Sequence, residues 1–317
     1  LGLPEVVGGK ALVSLVRNVE LREIIMNAAA GIQIEGAEVT LEERRLLISA
    51  TPIPSADGDS RLTSVLSIAD LTQLRRLEGV RRDFVANVSH ELKTPLTSIH
   101  GYAETLRADD DLPVEMRHQF LDVINRNAVR LQRIVDDLLD LARIESGVWN
   151  PDSQTVDALS VARDAWASCQ ENAAAQKITF DAPAMAAPVI ADPDALRHVF
   201  ANLFENAVRY TPESGRITVR VSGDCNPASN ADAVTAFHGA RLVLIEISDS
   251  GSGIPRDALP RIFERFYRVD PARSRAAGGT GLGLAIVKHM VEGMGGTVTA
   301  QSELGNGTTI AMKLPAP

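Results

Sequence analysis

The stretch FVANVSHELKTPLTSIHGY, residues 84–102, places His90 and Glu91 side by side in a segment with helical periodicity. A two-residue step along a helix turns about 200°, so His90 points away from the apolar stripe that contains Val88 and Leu92. A neutral imidazole is a good nucleophile near neutral pH, and an adjacent carboxylate can hold one ring nitrogen as N–H while the other attacks. We therefore interpret His90 as a candidate nucleophile and Glu91 as its acid–base neighbour.

Two residues close by modify the same helical face. Thr94 lies one turn from His90, and Pro95 follows it. Because proline has no N–H to donate to the carbonyl of Glu91, four residues back, we expect the helix to bend beside the histidine. An ordinary exposed histidine on a dimerisation helix is the alternative that this stretch leaves open. The same bland interpretation applies to the remaining histidines: His100, His118, His198, His238 and His289.

A second polar set lies in NLFENAVRYT, residues 202–211. Asn202 and Asn206 are four residues apart and share a helical face. The neutral amide oxygen of asparagine suits Mg²⁺, which keeps several waters and bridges nucleotide phosphates. We predict Asn206 as a metal ligand and Asn202 as a second contact, with Arg209 on a phosphate and Tyr210 over an adenine face. Simple solvent contact is the alternative for both asparagines.

The stretch DSGSGIP, residues 249–255, follows the apolar run RLVLIEIS and places Asp249 at a predicted strand end. A carboxylate there can accept a hydrogen bond from an exocyclic amine such as that of adenine. Gly251 and Gly253 allow the backbone to approach a ligand closely. A plain glycine and serine turn is the competing interpretation.

A glycine-rich stretch, GGTGLGLAIVKHM at residues 278–290, precedes a predicted helix. Backbone N–H groups and the positive end of the helix favour phosphate at such a place. The stretch matches no Walker A pattern, and no strand directly precedes it as a dinucleotide fingerprint requires. The glycines that we place there are Gly278, Gly279, Gly281 and Gly283.

Two flanking segments would complete this pocket. Residues 268–280, RVDPARSRAAGGT, are predicted to form a mobile lid. Near the end of the chain, GNGTT places Gly305, Gly307 and Thr308 in a turn. That turn either lines the same pocket or simply closes a hairpin.

Composition limits the kind of protein that carries these residues. The chain has 317 residues, 45% hydrophobic and 23% charged, which predicts two or three globular domains. The net charge of −9 disfavours nucleic acid as a partner, because phosphate contacts need a basic face. Cys169 and Cys225 match no metal-ligand spacing and are expected to be reduced thiols in the cytosol.

No apolar run reaches the roughly 18 residues that a membrane span needs. The chain begins with Leu1 and not with methionine. We therefore expect a cytoplasmic portion of a longer protein, with room for a membrane anchor upstream.

Residues 74–148 are predicted to form an antiparallel pair of long helices. Apolar positions repeat at steps of three and four from Leu74 to Leu106 and again from Phe120 to Leu141, and RADDDLP separates the two runs. A hairpin this thin hides little surface alone. Two copies are therefore expected to pair into a four-helix bundle, which makes the protein a homodimer.

Residues 152–317 show short strands alternating with helices, the pattern of a compact α/β domain. Helices are predicted at 193–209, with Asp192 as N-cap and Pro193 at the first helical position, and at 282–294. Residues 222–240 are predicted to form an enlarged hairpin loop. Strands are predicted at KITF, PVIA, RITVRVS, RLVLIEIS, TVTAQS and TTIAMKL.

Taken in order, SHELKTPL, NLFENAVRYT, DSGSGI, FERFYR and GTGLGLAIVKHM resemble the H, N, G1, F and G2 boxes of a sensor histidine kinase of two-component systems. Five boxes in sequence order are far more specific than any one of them. The resemblance covers about residues 70–317, and the region around the lid is similar to the phosphate-sensing branch.

The resemblance implies a dimerisation and histidine phosphotransfer hairpin (HisKA) at 74–148. At 152–317 it implies an ATP-binding domain of the type shared with gyrase and Hsp90 chaperones (HATPase). His90 would be the phosphoacceptor and Glu91 its acid–base neighbour, while Thr94 would position water for removing phosphate from a response regulator. Phe263 and Phe266 would support the lid, or serve only as core residues. Residues implied to serve ATP and Mg²⁺ are Asn202, Asn206, Arg209, Tyr210, Asp249, Gly251, Gly253, Gly281 and Gly283.

Residues 1–73 are expected to be a partial sensory region. SVLSIADLTQLRRLE resembles the last strand of a PAS domain and its exit into a signalling helix. The whole chain is thus predicted to be an α+β multidomain protein that autophosphorylates His90 and passes the phosphoryl group to an aspartate of a separate receiver domain. A nucleotide-binding scaffold that pairs with another kinase is the alternative, and an ATPase of the gyrase or chaperone type leaves the histidine hairpin unexplained.

Overall fold

The computed structural model of the chain describes residues 16–53, 63–109, 111–183, 186–223, 241–270 and 279–317. Two compact units divide the chain, Leu1–Ala86 and Asn87–Pro317. Gly278, Cys225, His238, most of the predicted lid at 268–280 and most of the predicted loop at 222–240 lie outside the described residues. Within the described residues no helix is long and apolar enough to cross a bilayer.

The N-terminal unit packs one helix on a three-stranded antiparallel sheet. Helix α1 (Val19–Ala29) precedes strands β1 (Ile34–Leu41), β2 (Arg44–Ile53) and β3 (Thr63–Asp70), which lie in the order β1-β2-β3. The core of the unit consists of Val16, Leu21, Ile25, Val39, Leu46 and Ile48. The strand-like runs RRLLISATPIP and RLTSVLSIADLT predict strands here, and β2 and β3 confirm them, whereas β1 was missed. The PAS resemblance stays a prediction.

Side-chain oxygens at Asp70 and Thr72 predict a helix start, and helix α2 (Thr72–Ala108) begins there, with the Thr72 N–H donating to Asp70 Oδ1 at 2.9 Å. The helix runs on through Pro95, which is buried. After the predicted break, helix α3 covers Val114–Glu145. The two helices run antiparallel, because Glu91 contacts Arg130 and the ring of Tyr102 lies 5.1 Å from that of Phe120.

Much of the apolar surface of this hairpin is open in the single chain. Ile134 and Leu141 are buried, but Leu96 and Leu139 are 58% and 52% exposed. Exposed leucines on both helices are expected where a second copy completes a four-helix bundle. The homodimer stays a prediction, since its partner face is defined here by one chain alone.

The C-terminal part of the second unit is a sandwich of helices on a five-stranded sheet in the order β5-β7-β8-β10-β9. Its strands are β5 (Thr179–Asp181), β7 (Arg216–Ser222), β8 (Leu242–Asp249), β9 (Thr297–Ser302) and β10 (Thr308–Pro315). A separate two-stranded sheet pairs β4 (Gln154–Asp157) with β6 (Pro188–Ala191). The helices are α4 (Ala158–Ala167), α5 (Gln170–Ala175), α6 (Pro193–Tyr210) and α7 (Gly283–Gly293).

Helix α6 is fixed by its start and by its aromatic face. The Asp192 carboxylate accepts hydrogen bonds from the N–H groups of Asp194 and Ala195, and Pro193 occupies the first turn as predicted. Phe200 and Phe204 are fully buried, and Phe204 meets the ring of Trp166 edge-on. Burying this face leaves the asparagines on the other side of α6 to face a cavity. The α+β class is therefore confirmed, with six strands close to their predicted positions and β4 missed.

Candidate functional site

One cavity of about 530 Å³ lies in the unit Asn87–Pro317. Its size falls in the range of small-molecule sites. The wall is built from α6, the end of β8, the glycines before α7 and the start of β10, with further residues from α3. The predicted site residues that line it are Asn202, Asn206, Arg209, Tyr210, Asp249, Gly253, Gly279, Gly281, Gly283 and Thr308.

The α6 wall presents two amides and a guanidinium group. Asn202 donates through Nδ2 to the His198 carbonyl at 3.2 Å, so its Oδ1 stays available. Arg209 Nη1 donates to Asn206 Oδ1 at 3.4 Å, a long and weak hydrogen bond. Tyr210, at the end of the helix, is 41% exposed. The amide oxygens are thus held near the cavity without being strongly engaged.

Asp249 ends β8 and is half-buried in the cavity wall. Its Oδ1 accepts hydrogen bonds from the N–H groups of Gly251 at 2.8 Å and of Thr308 at 3.3 Å. Burial raises the pKa of the Asp249 carboxyl, while those two backbone hydrogen bonds oppose the rise. The second carboxylate oxygen accepts no hydrogen bond that joins it to the described residues, and it is available to a donor on a ligand.

Gly251 and Gly253 are glycines at positions where the surrounding backbone leaves no space for a side chain. A Cβ atom at Gly251 would lie 2.6 Å from Asp249 Oδ1, so the glycine lets its N–H reach the carboxylate. Gly253 has φ +70° and no space for a side chain, because a Cβ atom would lie 2.1 Å from the carbonyl oxygen of Glu303. Gly251 does not itself line the cavity, so it positions Asp249 in this structure.

The glycines before α7 bring backbone donors to the cavity. The first turn of the helix, from Gly283, has no side-chain cap, and Gly283 and Leu284 line the cavity, so uncapped N–H groups lie at its wall. A Cβ atom at Gly283 would lie 2.6 Å from Asn202 Oδ1, which shows how closely the two elements approach. Phe266 donates its backbone N–H to the Gly281 carbonyl at 2.8 Å; support of the lid by Phe263 and Phe266 stays a prediction.

His90 and its two neighbours lie on the hairpin and do not line the cavity. His90 is exposed on α2, as predicted. Thr94 is exposed as well, and its hydroxyl donates to the His90 carbonyl at 3.1 Å. The carboxylate of Glu91 behaves differently from the prediction, because its Oε2 accepts hydrogen bonds from Arg130 and Arg268, each at 2.9 Å, and not from the imidazole ring.

The contacts of the hairpin with the cavity were missed from the sequence. Thr280 donates its hydroxyl to Asp137 Oδ2 at 2.8 Å, and Arg268 also donates to the Gly279 carbonyl. Burial, chiefly, raises the pKa of the Asp137 carboxyl; the hydrogen bond from Thr280 opposes this rise, and the negative charge of Asp140 adds to it. No local pattern could have identified these pairs, since their members lie 11 to 177 residues apart.

Further polar contacts hold α3 against the same domain, where it packs beside α7. His198 lies 3.4 Å from Asp140, and Glu145 accepts a hydrogen bond from Arg265 and lies 3.7 Å from His289. The histidines on α6 and α7 that were interpreted as ordinary therefore contact carboxylates of the hairpin. His100 and Glu104 pair within α2 at 3.3 Å.

Two family models match the chain. Residues 80–147 match the His Kinase A (phospho-acceptor) domain. Residues 191–317 match the histidine kinase-, DNA gyrase B- and HSP90-like ATPase. The two matches cover the hairpin and most of the sandwich domain, in the order that the five boxes predict.

Among curated proteins, the chain is 37% identical over 253 residues to the sensor histidine kinase WalK of Bacillus subtilis, covering 78% of this chain and 39% of WalK. It is 37% identical over 259 residues to the sensor-like histidine kinase SenX3 of Mycolicibacterium smegmatis, covering 81% of this chain and 63% of SenX3. The chain thus spans less than two thirds of either relative.

Solved structures of histidine kinases have the same fold. Full-length ShkA in complex with AMPPNP is 28% identical with a TM-score of 0.50, covering 74% of this chain and 46% of ShkA. The histidine kinase ThkA in complex with the response regulator protein TrrA is 19% identical with a TM-score of 0.55, covering 92% of this chain and 81% of ThkA. The chain therefore belongs to the sensor histidine kinase family, with a phospho-acceptor hairpin followed by an ATPase domain.

Proposed function

We propose that this chain is an ATP-dependent protein-histidine kinase that autophosphorylates His90 and passes the phosphoryl group to an aspartate of a response regulator. One observation carries the proposal: an exposed imidazole and a cavity with the donors and acceptors that a nucleotide needs belong to one compact unit, Asn87–Pro317. Family membership supports it.

The cavity residues fit ATP from one end to the other. The free oxygen of Asp249 would accept a hydrogen bond from the adenine amine, and Tyr210 would cover the base. Backbone N–H groups at Gly281 and Gly283, with the positive end of α7, suit the phosphates. An arrangement with one base-reading carboxylate and a separate phosphate-binding helix end distinguishes a nucleotide from a smaller anion.

The donor set also fits Mg²⁺. Asn206 and Asn202 offer neutral amide oxygens on the cavity wall, and Mg²⁺ in nucleotide sites takes only one or two protein ligands beside waters and phosphates. Asn206 is our proposed ligand. Among the described residues, its side chain is engaged only by the weak hydrogen bond from Arg209. When bound, the metal would supply charge neutralisation along the phosphates.

The chemistry assigned to the hairpin is a phosphoryl transfer to nitrogen. An imidazole nitrogen of His90 attacks the γ-phosphorus, the bond from that phosphorus to the oxygen bridging it to the β-phosphate breaks, and ADP leaves with the electron pair. Glu91 accepts the proton from the other ring nitrogen. Thr94 would orient water when the phosphoryl group is removed from the regulator, so phosphatase activity is part of the proposal.

The observed arrangement precedes transfer. His90 does not line the cavity, and the carboxylate of Glu91 is bound to two arginines. Transfer therefore requires the ATP-binding part to move relative to the hairpin, a rigid-body change of the kind that switches many multidomain proteins.

The proposed partners are a second copy of this chain and a receiver domain. The open leucines of the hairpin support pairing into a four-helix bundle. The complex of ThkA with TrrA concerns a relative of the same fold and supports the choice of a response regulator. ATP and receiver proteins belong to the cytoplasm, so we place the chain there, and the net charge of −9 disfavours nucleic acid as a partner.

Incubation with γ-labelled ATP and Mg²⁺ tests the proposal. We expect label that survives alkali, is lost in acid and disappears in the His90→Gln variant, while the matched His100→Gln variant on the same helix keeps it. Label that persists in His90→Gln would refute the site assignment. Nucleotide binding with no label in any variant would favour the scaffold alternative.

A further inference from the structure

A chain of hydrogen bonds joins the neighbour of His90 to the edge of the cavity. Glu91 Oε2 accepts from Arg268 Nη2, and the same nitrogen donates to the Gly279 carbonyl. The next residue, Thr280, donates its hydroxyl to Asp137 of α3. These five residues, Glu91, Arg268, Gly279, Thr280 and Asp137, are called the interdomain latch below.

The latch engages the carboxylate of Glu91, which is the group proposed to accept the ring proton of His90. Glu91 Oε2 already accepts charge-assisted hydrogen bonds from Arg130 on the hairpin and from Arg268 on the ATP-binding part. Arg268 is 8% exposed, so it is held in place by its surroundings. The two arginines hold the carboxylate in one orientation, in which it accepts from them and not from the imidazole ring. Arg130 belongs to the hairpin itself, whereas the bond from Arg268 lasts only while the two parts stay together.

The other end of the latch places negative charge in the cavity wall. Asp136, Asp137 and Asp140 of the hairpin line the cavity together with Glu205 of α6. The Thr280 hydroxyl donates its hydrogen bond to Asp137. It is therefore not available as a donor to a ligand, although Thr280 lines the same cavity. A polyphosphate would compete for that hydroxyl and would repel the carboxylates beside it.

We infer that Arg268 is a positioning residue that withholds Glu91 from His90 until a nucleotide occupies the cavity. The inference rests on the proposed function. An entering polyphosphate opposes the bond between Thr280 and Asp137, which weakens the attachment of the adjoining Gly279 and of Arg268. Latch formation and nucleotide binding therefore oppose each other. By linkage, nucleotide binding and latch formation weaken each other by the same factor, so a change that loosens the latch tightens nucleotide binding by at most that factor.

Glu91→Gln is the informative change, because Glu91 does not line the cavity. A neutral amide keeps the shape but replaces two charge-assisted hydrogen bonds by weaker ones. Titration calorimetry with AMPPNP and Mg²⁺, which avoids phosphoryl transfer, should give affinity about three- to tenfold higher than that of the unaltered chain. Glu104→Gln is the matched control on the same helix, since Glu104 pairs only with His100 among the described residues.

Asp137→Asn provides an independent arm, with Asp122→Asn, an exposed residue on the same helix, as its control. It should also tighten AMPPNP binding, because it removes a negative charge from the cavity wall. Equal or weaker affinity in Glu91→Gln, with thermal unfolding unchanged, would overturn the inference. An unaltered chain that binds no AMPPNP would refute the proposed function as well. Binding of AMPPNP without any labelling of His90 from ATP would refute the proposed function alone.

Discussion

Replacement of Asp249 by asparagine tests the base-binding end of the cavity. The carboxylate accepts two backbone hydrogen bonds through Oδ1 and keeps its second oxygen for a ligand. Asparagine is nearly isosteric, but it presents an NH₂ group where the carboxylate has an acceptor, so it turns towards the ligand either a weaker acceptor or a donor that faces another donor. ATP binding is therefore expected to weaken while the variant keeps the fold.

The magnitude follows from the bond that is lost. A hydrogen bond to a charged group contributes about 1.5–3 kcal/mol, which corresponds to roughly 10- to 150-fold weaker ATP binding at 1.4 kcal/mol per factor of ten. GTP carries a carbonyl oxygen where ATP has the amine, so its binding should fall less, and the preference for ATP over GTP should shrink.

Because burial raises the pKa of Asp249, Asp249→Asn is expected to stabilise the nucleotide-free protein even though it weakens ATP binding. The folded-state pKa lies above the ordinary value, so the ionised carboxylate destabilises the nucleotide-free fold. That cost is absent below the ordinary pKa of aspartate and is fully present above the raised value. Asp249→Asn should thus raise the midpoint of thermal unfolding at neutral pH without nucleotide, and this gain should shrink as the pH falls through the raised pKa and vanish below the ordinary pKa of aspartate.

Isothermal titration with ATP and GTP, together with thermal unfolding at two pH values, checks both expectations. Unchanged ATP affinity in Asp249→Asn would refute the assignment of the base-binding end. Equal losses for ATP and GTP would show that the variant has damaged the cavity in general. A lower unfolding midpoint at neutral pH would contradict the argument from burial.

Two further predictions concern the metal and the core. Asn206→Ala should weaken Mg²⁺-dependent nucleotide binding by about tenfold or more, since losing a group that only supports a metal ligand already costs about 10–100-fold. Binding in EDTA should stay unaltered. Equal affinity with the metal present would count against Asn206 as ligand. Phe204→Ala should cost about 3–5 kcal/mol of unfolding free energy in urea, because the ring is fully buried and lies 5.5 Å from both Trp166 and Phe180; a loss below about 1 kcal/mol would contradict that reasoning.

The parts of the site that sequence alone predicted have causes close to them in the chain. Asp192 and Pro193 fix where α6 starts, and the four-residue spacing then sends Asn202 and Asn206 to one side of that helix. The glycines before α7 are likewise recognisable from the sequence, because no other residue allows the backbone to approach Asn202 as closely as Gly283 does. Local rules of helix geometry were sufficient here.

The missed elements lack such local causes. Strand β1 carries a register shift between Ile34 and Ala37, with Gly36 at φ +68°, so its alternation is broken where a pattern would be sought. Strand β4 has only four residues and is paired by β6, more than thirty positions further on. Such strands exist because of their partners, and their own sequences carry little signal.

The contact between Arg268 and Glu91 shows the same limit at the functional site. Both residues belong to recognisable boxes, and each box predicts a role for its own region. Their pairing, 177 residues apart, depends on how the hairpin and the ATP-binding part meet, which no period or spacing encodes. The expected partner of Glu91 was His90, its neighbour in sequence, and the structure gives the carboxylate to two arginines instead.

The distribution of charge in the cavity explains why a metal belongs to the proposed ligand. Carboxylates of the hairpin and of α6 line the cavity, and burial raises the pKa of Asp137 among them. A bare triphosphate would enter against these charges, which the N-terminus of α7 and the lining arginines Arg133, Arg209 and Arg268 offset in part. A bound divalent ion cancels part of the ligand's own charge, and Asn206 can hold it without adding another negative group. Neutral amides on α6 can thus hold the metal without adding to the negative charge that repels the phosphates, whereas a carboxylate ligand would increase that repulsion.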